Sequence, residues 1–182
     1  MKINRINALA SFWGIAEATF FFIVPDVLLS WIALRSYKRA LLACCWTTGG
    51  ALLGGSILWY IGQSDPATSR AFFAALPAID DSMIANVQSQ LSNTGLRALF
   101  VGPLIGTPYK IYAIEAAHLG YGLGIFLLIS LPARLIRFLL VSIVAGGLST
   151  LLSRRLSLRH LQGLHILFWI VLYAWYFSVM PG

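Results

Sequence analysis

Seven ionisable side chains lie inside long apolar stretches of this sequence, where a charge is costly unless it is paired or reaches water. They are Glu17, Asp26, Lys110, Glu115, His118, Arg134 and Arg137. Arg134 and Arg137 are three residues apart and would share one face of a helix. Because the guanidinium fork matches a carboxylate or a phosphate with two hydrogen bonds, Glu17 and Asp26 are candidate partners for these arginines, and a lipid phosphate is a candidate guest.

These spacings predict a substrate or transport site rather than a catalytic one. Its predicted members are Glu17, Asp26, Lys110, Glu115, Arg134 and Arg137. Other interpretations stay open. The charges could be structural ion pairs, or the long basic side chains could extend to the membrane interface. Proton exchange at Glu17 or Asp26 also stays open.

Motifs for enzyme chemistry do not occur in the sequence. There is no phosphate-binding glycine loop, no nucleophile elbow and no HExxH helix. The two cysteines, Cys44 and Cys45, are adjacent, and the three histidines lack ligand partners at metal-site spacing. We therefore expect neither an enzyme nor a metal or cofactor.

The composition is that of a membrane protein. Of 182 residues, 59% are hydrophobic and 10% are charged, against roughly 25% charged in soluble domains. The net charge of +7 comes from small basic clusters beside apolar runs, as expected for topology signals rather than for nucleic-acid binding. The sequence predicts an all-α integral membrane protein with a single domain over residues 1–182.

Four apolar regions are long enough to enter a bilayer, which a helix of about 20 residues crosses. They are residues 6–34, 40–62, 98–152 and 163–180. The basic residues that flank them are Lys2, Arg5, Arg35, Lys38, Arg39, Arg154, Arg155 and Arg159. The positive-inside rule places all of these in the cytoplasm, with the N-terminus, and places the acidic segment 63–96 on the other side.

Region 6–34 lies between two basic clusters, so one simple crossing contradicts the rule. A re-entrant hairpin broken at Pro25 keeps both clusters on one side, since a proline disfavours helix at the preceding residue. Broken backbone at this depth is tolerated where it lines a cavity. The alternative is a single tilted helix, kinked at Pro25, with one cluster on the unexpected side.

The second half repeats this pattern. Region 97–119 contains the helix breakers Pro103, Gly106 and Pro108, which predict a second hairpin that enters from the opposite side. Two such halves, about 6–62 and 95–152, resemble the inverted repeats of transporters, whose sites lie between broken segments. With the final helix 163–180, this makes about three crossing helices. Segment 121–152 is long enough for a crossing plus an interfacial piece broken at Pro132.

Glycines at GxxxG spacing predict close packing of the crossing helices against the hairpins. They are Gly50 with Gly54, and Gly120 with Gly124.

Five sequence stretches together resemble the DedA or VTT (SNARE-associated) superfamily, especially its short YqaA-like branch, over roughly residues 8–145. They are Glu17 with PDVLL at 25–29, then GGALLGGSILWYIGQ, GPLIGTPYKIYAIEAA and PARLIRF. The resemblance implies two re-entrant hairpins that face each other. It also implies lipid handling: bacterial members are linked to recycling of undecaprenyl phosphate and other anionic lipids, some to proton-dependent behaviour, and eukaryotic relatives to phospholipid scrambling.

Matched to the motifs of that superfamily, Glu17 and Asp26 correspond to the acidic residues around the first hairpin proline. Lys110 takes the position of a basic residue in the second hairpin, and Arg134 and Arg137 lie in the arginine-rich helix start. Two positions depart from the pattern: Asp26 stands where glutamate is more usual, and Lys110 where better-known members have arginine. A lysine is a point charge, which weakens the expectation of a bidentate phosphate contact.

The predicted function is therefore a translocase or scramblase of anionic membrane lipid, such as a polyprenyl phosphate or a phospholipid, in a bacterial inner membrane. Its expected partners are lipids with a phosphate head group, and no nucleic acid. Proton binding and association with a second copy of the chain stay open. The alternatives are a proton-coupled exporter of small molecules and a structural membrane factor without transport activity.

Overall fold

The computed structural model describes residues 3–65, 68–70, 73 and 79–179, and all regular structure within them is helical. The helices are α1 (Ile3–Thr19), α2 (Asp26–Ala33), α3 (Tyr37–Ser64), α4 (Asp81–Thr94), α5 (Ala98–Val101), α6 (Tyr109–His118), α7 (Leu123–Leu152) and α8 (Leu158–Val179). Two 3₁₀ turns, Gly95–Arg97 and Gly102–Leu104, flank α5. The predicted all-α class is confirmed.

Three helices are long and apolar enough to cross a membrane: α3 with 28 residues, α7 with 30 and α8 with 22. They correspond to the predicted crossings at 40–62, within 121–152 and at 163–180, where residue 180 lies outside the described residues. The many exposed leucines, isoleucines and phenylalanines on α7 and α8 fit a lipid environment, where apolar side chains need no burial in protein.

The expected break at Pro132 is wrong. Pro132 lies inside α7, which is continuous. A proline within a helix loses one backbone hydrogen bond, but neighbouring helices and local adjustment satisfy the freed carbonyl in apolar surroundings. As a consequence, Arg134 and Arg137 lie within a continuous helix rather than at a helix start.

Helix α1 runs parallel to α3, because residues further along α1 contact residues further along α3. A Cβ atom added to Gly50 would collide with the carbonyl oxygen of Ser11, and one added to Gly54 would lie 2.8 Å from Cβ of Ala18. The chain must therefore turn back between α1 and α3. It does so through residues 20–25, which we call the first bend, and through α2.

Helices α7 and α8 complete the bundle in alternating directions. Cys44 and Ser142 are 3.2 Å apart, and Tyr37 packs on Gly146, so α7 is antiparallel to α3. Val24 donates to Tyr173, and Ser30 contacts His165, so α8 runs opposite to α2.

These directions gather the basic clusters at one end of the molecule. Ser149 donates to the carbonyl of Leu34, which joins the end of α7 to the end of α2, three residues before α3 begins. A shallow groove beside Ile6 is lined by Lys38 and Arg39, which joins the start of α1 to the same end. The described arginines and lysines of the three clusters therefore lie at the same end of the helical bundle, as the positive-inside rule requires.

A second interruption of the helices lies at residues 102–108, which we call the second bend. Tyr109 packs on Gly55, and Ile114 packs on Gly62, so α6, which follows this bend, is parallel to α3. Tyr112 donates to Gln90 at 2.5 Å, so α4 packs beside α6 at the end away from the basic clusters.

The two GxxxG predictions have different outcomes. Gly50 and Gly54 pack against α1, which confirms the first. The second is wrong, because a Cβ at Gly120 or Gly124 would meet no atom within 4 Å. Gly120 instead has a φ of +79°, and it makes the left-handed turn from α6 to α7 that glycine adopts without strain.

Candidate functional site

Glu17, near the end of α1, pairs with Arg134 in the middle of α7. Nη2 of Arg134 donates to Oε2 of Glu17. Both residues are buried, and the guanidinium lies between the rings of Tyr109 and Phe138, 4.7 and 4.8 Å from their centroids. This first pair joins α1 to α7 inside the protein.

Asp26, the first residue of α2, pairs with Arg137 one turn further along α7. Nη2 and Nε of Arg137 lie 2.7 and 3.2 Å from Oδ2 of Asp26. Nη1 donates to the carbonyl of Pro103 at 2.8 Å. One guanidinium therefore ties the start of α2, directly after the first bend, to the second bend. The predicted pairing of these arginines with Glu17 and Asp26 is confirmed.

Lys110, the second residue of α6, is 2% exposed. Its ammonium donates to the carbonyl of Phe21 at 3.0 Å and lies 4.3 Å from the ring centroid of Phe22. Both partners belong to the first bend. Among the described residues three ion pairs form, and Lys110 is in none of them.

A cavity of about 460 Å³ lies where the two bends meet. We call it the central cavity. Its charged lining residues are Glu17, Asp26, Lys110 and Arg137, while Arg134 lies behind it. Most other lining residues come from residues 21–24, from the second bend and from α8. The site thus brings together five of its six predicted members.

Glu115, the sixth, lies elsewhere. It is buried on α6 and accepts from Nε of Arg70 at 2.7 Å, with a second contact from Nη2. Arg70 precedes α4 in the chain and its side chain is 30% exposed. The hydrogen-bonded Glu115 carboxylate raises the pKa of Arg70. This pair fastens segment 68–70 to α6 and contributes no atom to the cavity lining.

The predicted helix breakers lie at the two bends. Pro103, Gly106 and Pro108 line the central cavity, and Gly106 has a φ of +100°, a conformation that favours glycine. Pro25 is buried directly before α2, at the N-cap position and without a side-chain capping bond, and it does not line the cavity. A break in the helix exposes backbone carbonyls, and Arg137 and Lys110 use two of them.

Helix α8 supplies a face of the cavity that sequence reasoning missed. Trp169, Leu172, Tyr173 and Tyr176 line it, and the hydroxyl of Tyr173 accepts from the backbone N–H of Val24 at 2.8 Å. These positions recur at intervals of three and four residues, which places them on one helix face. That spacing was a usable signal, although aromatic residues near helix ends also favour membrane interfaces.

The architecture is thus a helical bundle with three membrane-length helices and an ion-paired cavity between two interruptions. No family model matches the chain, and no solved structure matches it. A protein of Haemophilus influenzae, described only as uncharacterized, is 27% identical to it over 144 residues, which cover 75% of this chain and 70% of that protein. The similarity extends over most of the chain and names no activity.

Proposed function

We propose that the protein moves anionic lipids across a membrane and that the central cavity binds their phosphate group. The observation that carries this proposal is Lys110. A buried ammonium outside any described ion pair is costly, and its cost falls when an anion binds. Glu17 lines the same cavity, but its carboxylate already accepts from Arg134.

The charge balance of the site favours a ligand with one negative charge. Two carboxylates, Glu17 and Asp26, face two arginines in pairs, and Lys110 adds one further positive charge. A phosphodiester carries one negative charge at neutral pH and would leave the site neutral. A small cation would instead add to the imbalance, which argues against the exporter of small cations.

The membrane topology that we propose has two re-entrant hairpins, residues 6–34 and 97–119, that enter from opposite faces and form an inverted repeat. Two observations support it. The chain reverses between the parallel helices α1 and α3, and the basic clusters share one end. We propose that this end, with the N-terminus, faces the cytoplasm of a bacterium. The resemblance to the DedA or VTT superfamily is consistent with each of these proposals.

The test is lipid movement by the purified protein in liposomes. Separate arms would follow fluorescent phosphatidylglycerol, labelled polyprenyl phosphate and free inorganic phosphate, each with and without a proton gradient. We expect at least one lipid arm to exceed protein-free liposomes and the free-phosphate arm to stay at background. Transport of free phosphate alone would assign the site to a solute, and background rates in every arm would favour a structural membrane factor.

Lys110→Gln is the informative variant, and Lys38→Gln is its matched control. Lys38 is an exposed lysine at the basic end, so its replacement removes the same charge far from the cavity. We expect Lys110→Gln to lower the rate at least tenfold while Lys38→Gln leaves it unchanged. Equal rates in both variants would contradict the assignment of the phosphate to Lys110.

A further inference from the structure

The central cavity changes from charged to apolar between its floor and its mouth. Its floor holds Lys110 and Asp26, both almost fully buried. Its mouth is lined by Leu104, Ile105 and Trp175, whose exposed fractions are 60%, 68% and 65%. A molecule that fits this gradient has a charged group at one end and a hydrocarbon part at the other.

The volume of the cavity suits only the charged part of such a molecule. Small-ligand sites occupy roughly 300–1,000 Å³, and 460 Å³ lies near the lower end. A head group fits, and long hydrocarbon chains must remain outside. They would leave through the mouth, where the exposed side chains are apolar.

Helix α8, which forms one wall of the mouth, is hydrogen-bonded to the segment around α2 and, in the described part of the chain, not to the opposite wall. Helix α8 makes three side-chain hydrogen-bond contacts to the segment from Val24 to Ser30, through His165, Trp169 and Tyr173. Among the described residues no hydrogen bond joins α8 to the second bend or to α6. Leu161, 5% exposed, is the one buried residue of α8, so most of this helix faces away from the rest of the protein.

We propose that the gap between α8 and residues 104–105 is a lateral portal for the acyl chains of a phospholipid whose phosphate faces Lys110. Leu172 and Trp175 form one side of this portal, and Leu104 and Ile105 form the other. The inference rests on the proposed function and adds the route of access: the head group enters sideways from the bilayer while its chains stay in lipid. Movement of α8 away from the second bend widens the portal.

The binding part of the inference is tested by photolabelling of the full-length protein in phosphatidylglycerol vesicles. One probe carries a diazirine on the acyl chain near the glycerol, and another carries it on the head group. We expect acyl-chain adducts at residues 104–105 and 172–175 and head-group adducts at residues 21–22. Lys110→Gln should reduce both sets at least fivefold. Acyl-chain adducts confined to the outer faces of α3 and α7 would overturn the portal.

The gating part is tested by crosslinking α8 to the second bend. The portal pair is Leu104→Cys with Leu172→Cys, and the control pair is Leu28→Cys with Ile166→Cys, which line a groove between α2 and α8. Both pairs are made in a Cys44→Ala and Cys45→Ser background and joined by a flexible dithiol reagent. We expect the portal crosslink to slow lipid movement at least tenfold relative to the same protein without reagent, and the control crosslink to have no effect.

The outcomes separate the two proposals. If a crosslinked portal leaves lipid movement unchanged, the portal is wrong and the translocase stands. If no variant moves lipid but acyl-chain adducts at the mouth depend on Lys110, the portal stands as a lipid-binding site and translocation is wrong. If both the adducts and the movement are absent, both proposals fall.

Discussion

The first and second bends meet at one cavity but differ in the pairing of the charged residues beside them. The first bend is flanked by two acids, Glu17 and Asp26, and each is paired with an arginine of α7. The second bend is followed by a single base, Lys110, which donates to a carbonyl, lies over a ring and is in no ion pair among the described residues. The paired charges of the first bend therefore join helices to one another, whereas the charge of Lys110 is the one that the proposed function assigns to a ligand.

Breaking the first pair should have the largest effect on stability. Glu17→Gln leaves the guanidinium of Arg134 buried without a counter-charge, and the loss of a partner from a buried pair costs about 3–5 kcal/mol. Equilibrium unfolding by SDS in mixed micelles would measure it. The double variant Glu17→Gln with Arg134→Met removes both charges and should recover most of that loss. A double variant no more stable than the single one would show that the pair is not the cause.

Arg137→Gln should have the next largest effect, because it removes the link between the bends. The variant loses the contacts to Asp26 and to the carbonyl of Pro103, and hydrogen bonds to charged groups contribute about 1.5–3 kcal/mol. The expected loss is of that size rather than larger, since the side chain of Arg137 is 15% exposed, against 2% for Arg134. The same unfolding experiment measures it, and Arg137→Lys should recover only part because a lysine lacks the fork. Full recovery by lysine would argue that charge alone matters.

Glu115→Gln should cost less, about 1 kcal/mol, because its partner Arg70 is partly exposed to solvent and exposed pairs contribute little. The difference from wild type should shrink when the unfolding is repeated in high salt, which screens exposed charges. Lipid movement should be nearly unchanged, since neither residue lines the cavity. A large loss of transport without a loss of stability would instead connect this pair to the site.

Lys110→Met should have the smallest effect on stability, within about 1 kcal/mol of wild type, since the lost hydrogen bond is offset by removal of a desolvated charge. Lys38→Met serves as the control at an exposed position. This variant sharpens the comparison, because it should abolish lipid movement while leaving the fold intact. A loss of several kcal/mol would mean that Lys110, too, is part of the scaffold.

Much of this arrangement could be predicted from the sequence, because membrane burial restricts what charges can do. The pairing of Glu17 and Asp26 with Arg134 and Arg137 followed from the cost of unpaired charge in apolar surroundings. The interruptions at Pro25 and at residues 102–108 followed from backbone chemistry. Each of these depends on local residue type and on few possible partners.

Other features depend on tertiary packing that no local pattern specifies. Glu115 was predicted in the site because it is an ionisable residue inside an apolar stretch, yet it lies five residues after Lys110 and so on a different face of α6, towards Arg70. The continuity of α7 through Pro132 depends on its surroundings rather than on the proline. The closing of the cavity by α8 depends on contacts between residues more than a hundred positions apart, such as Val24 with Tyr173.

The spacing of the ion pairs along the chain has a consequence for biosynthesis. Glu17 and Arg134 are separated by 117 residues, and Asp26 and Arg137 by 111. At a synthesis rate of about 5–20 residues per second, roughly 6–23 seconds pass between the synthesis of each acid and that of its arginine partner. Until α7 emerges from the ribosome, the segment of α1, the first bend and α2 carries two acids without their arginine partners, and α2, with eight residues, is too short to cross a bilayer. If this segment is the re-entrant hairpin that we propose, its final burial is a late step that the arginines of α7 complete.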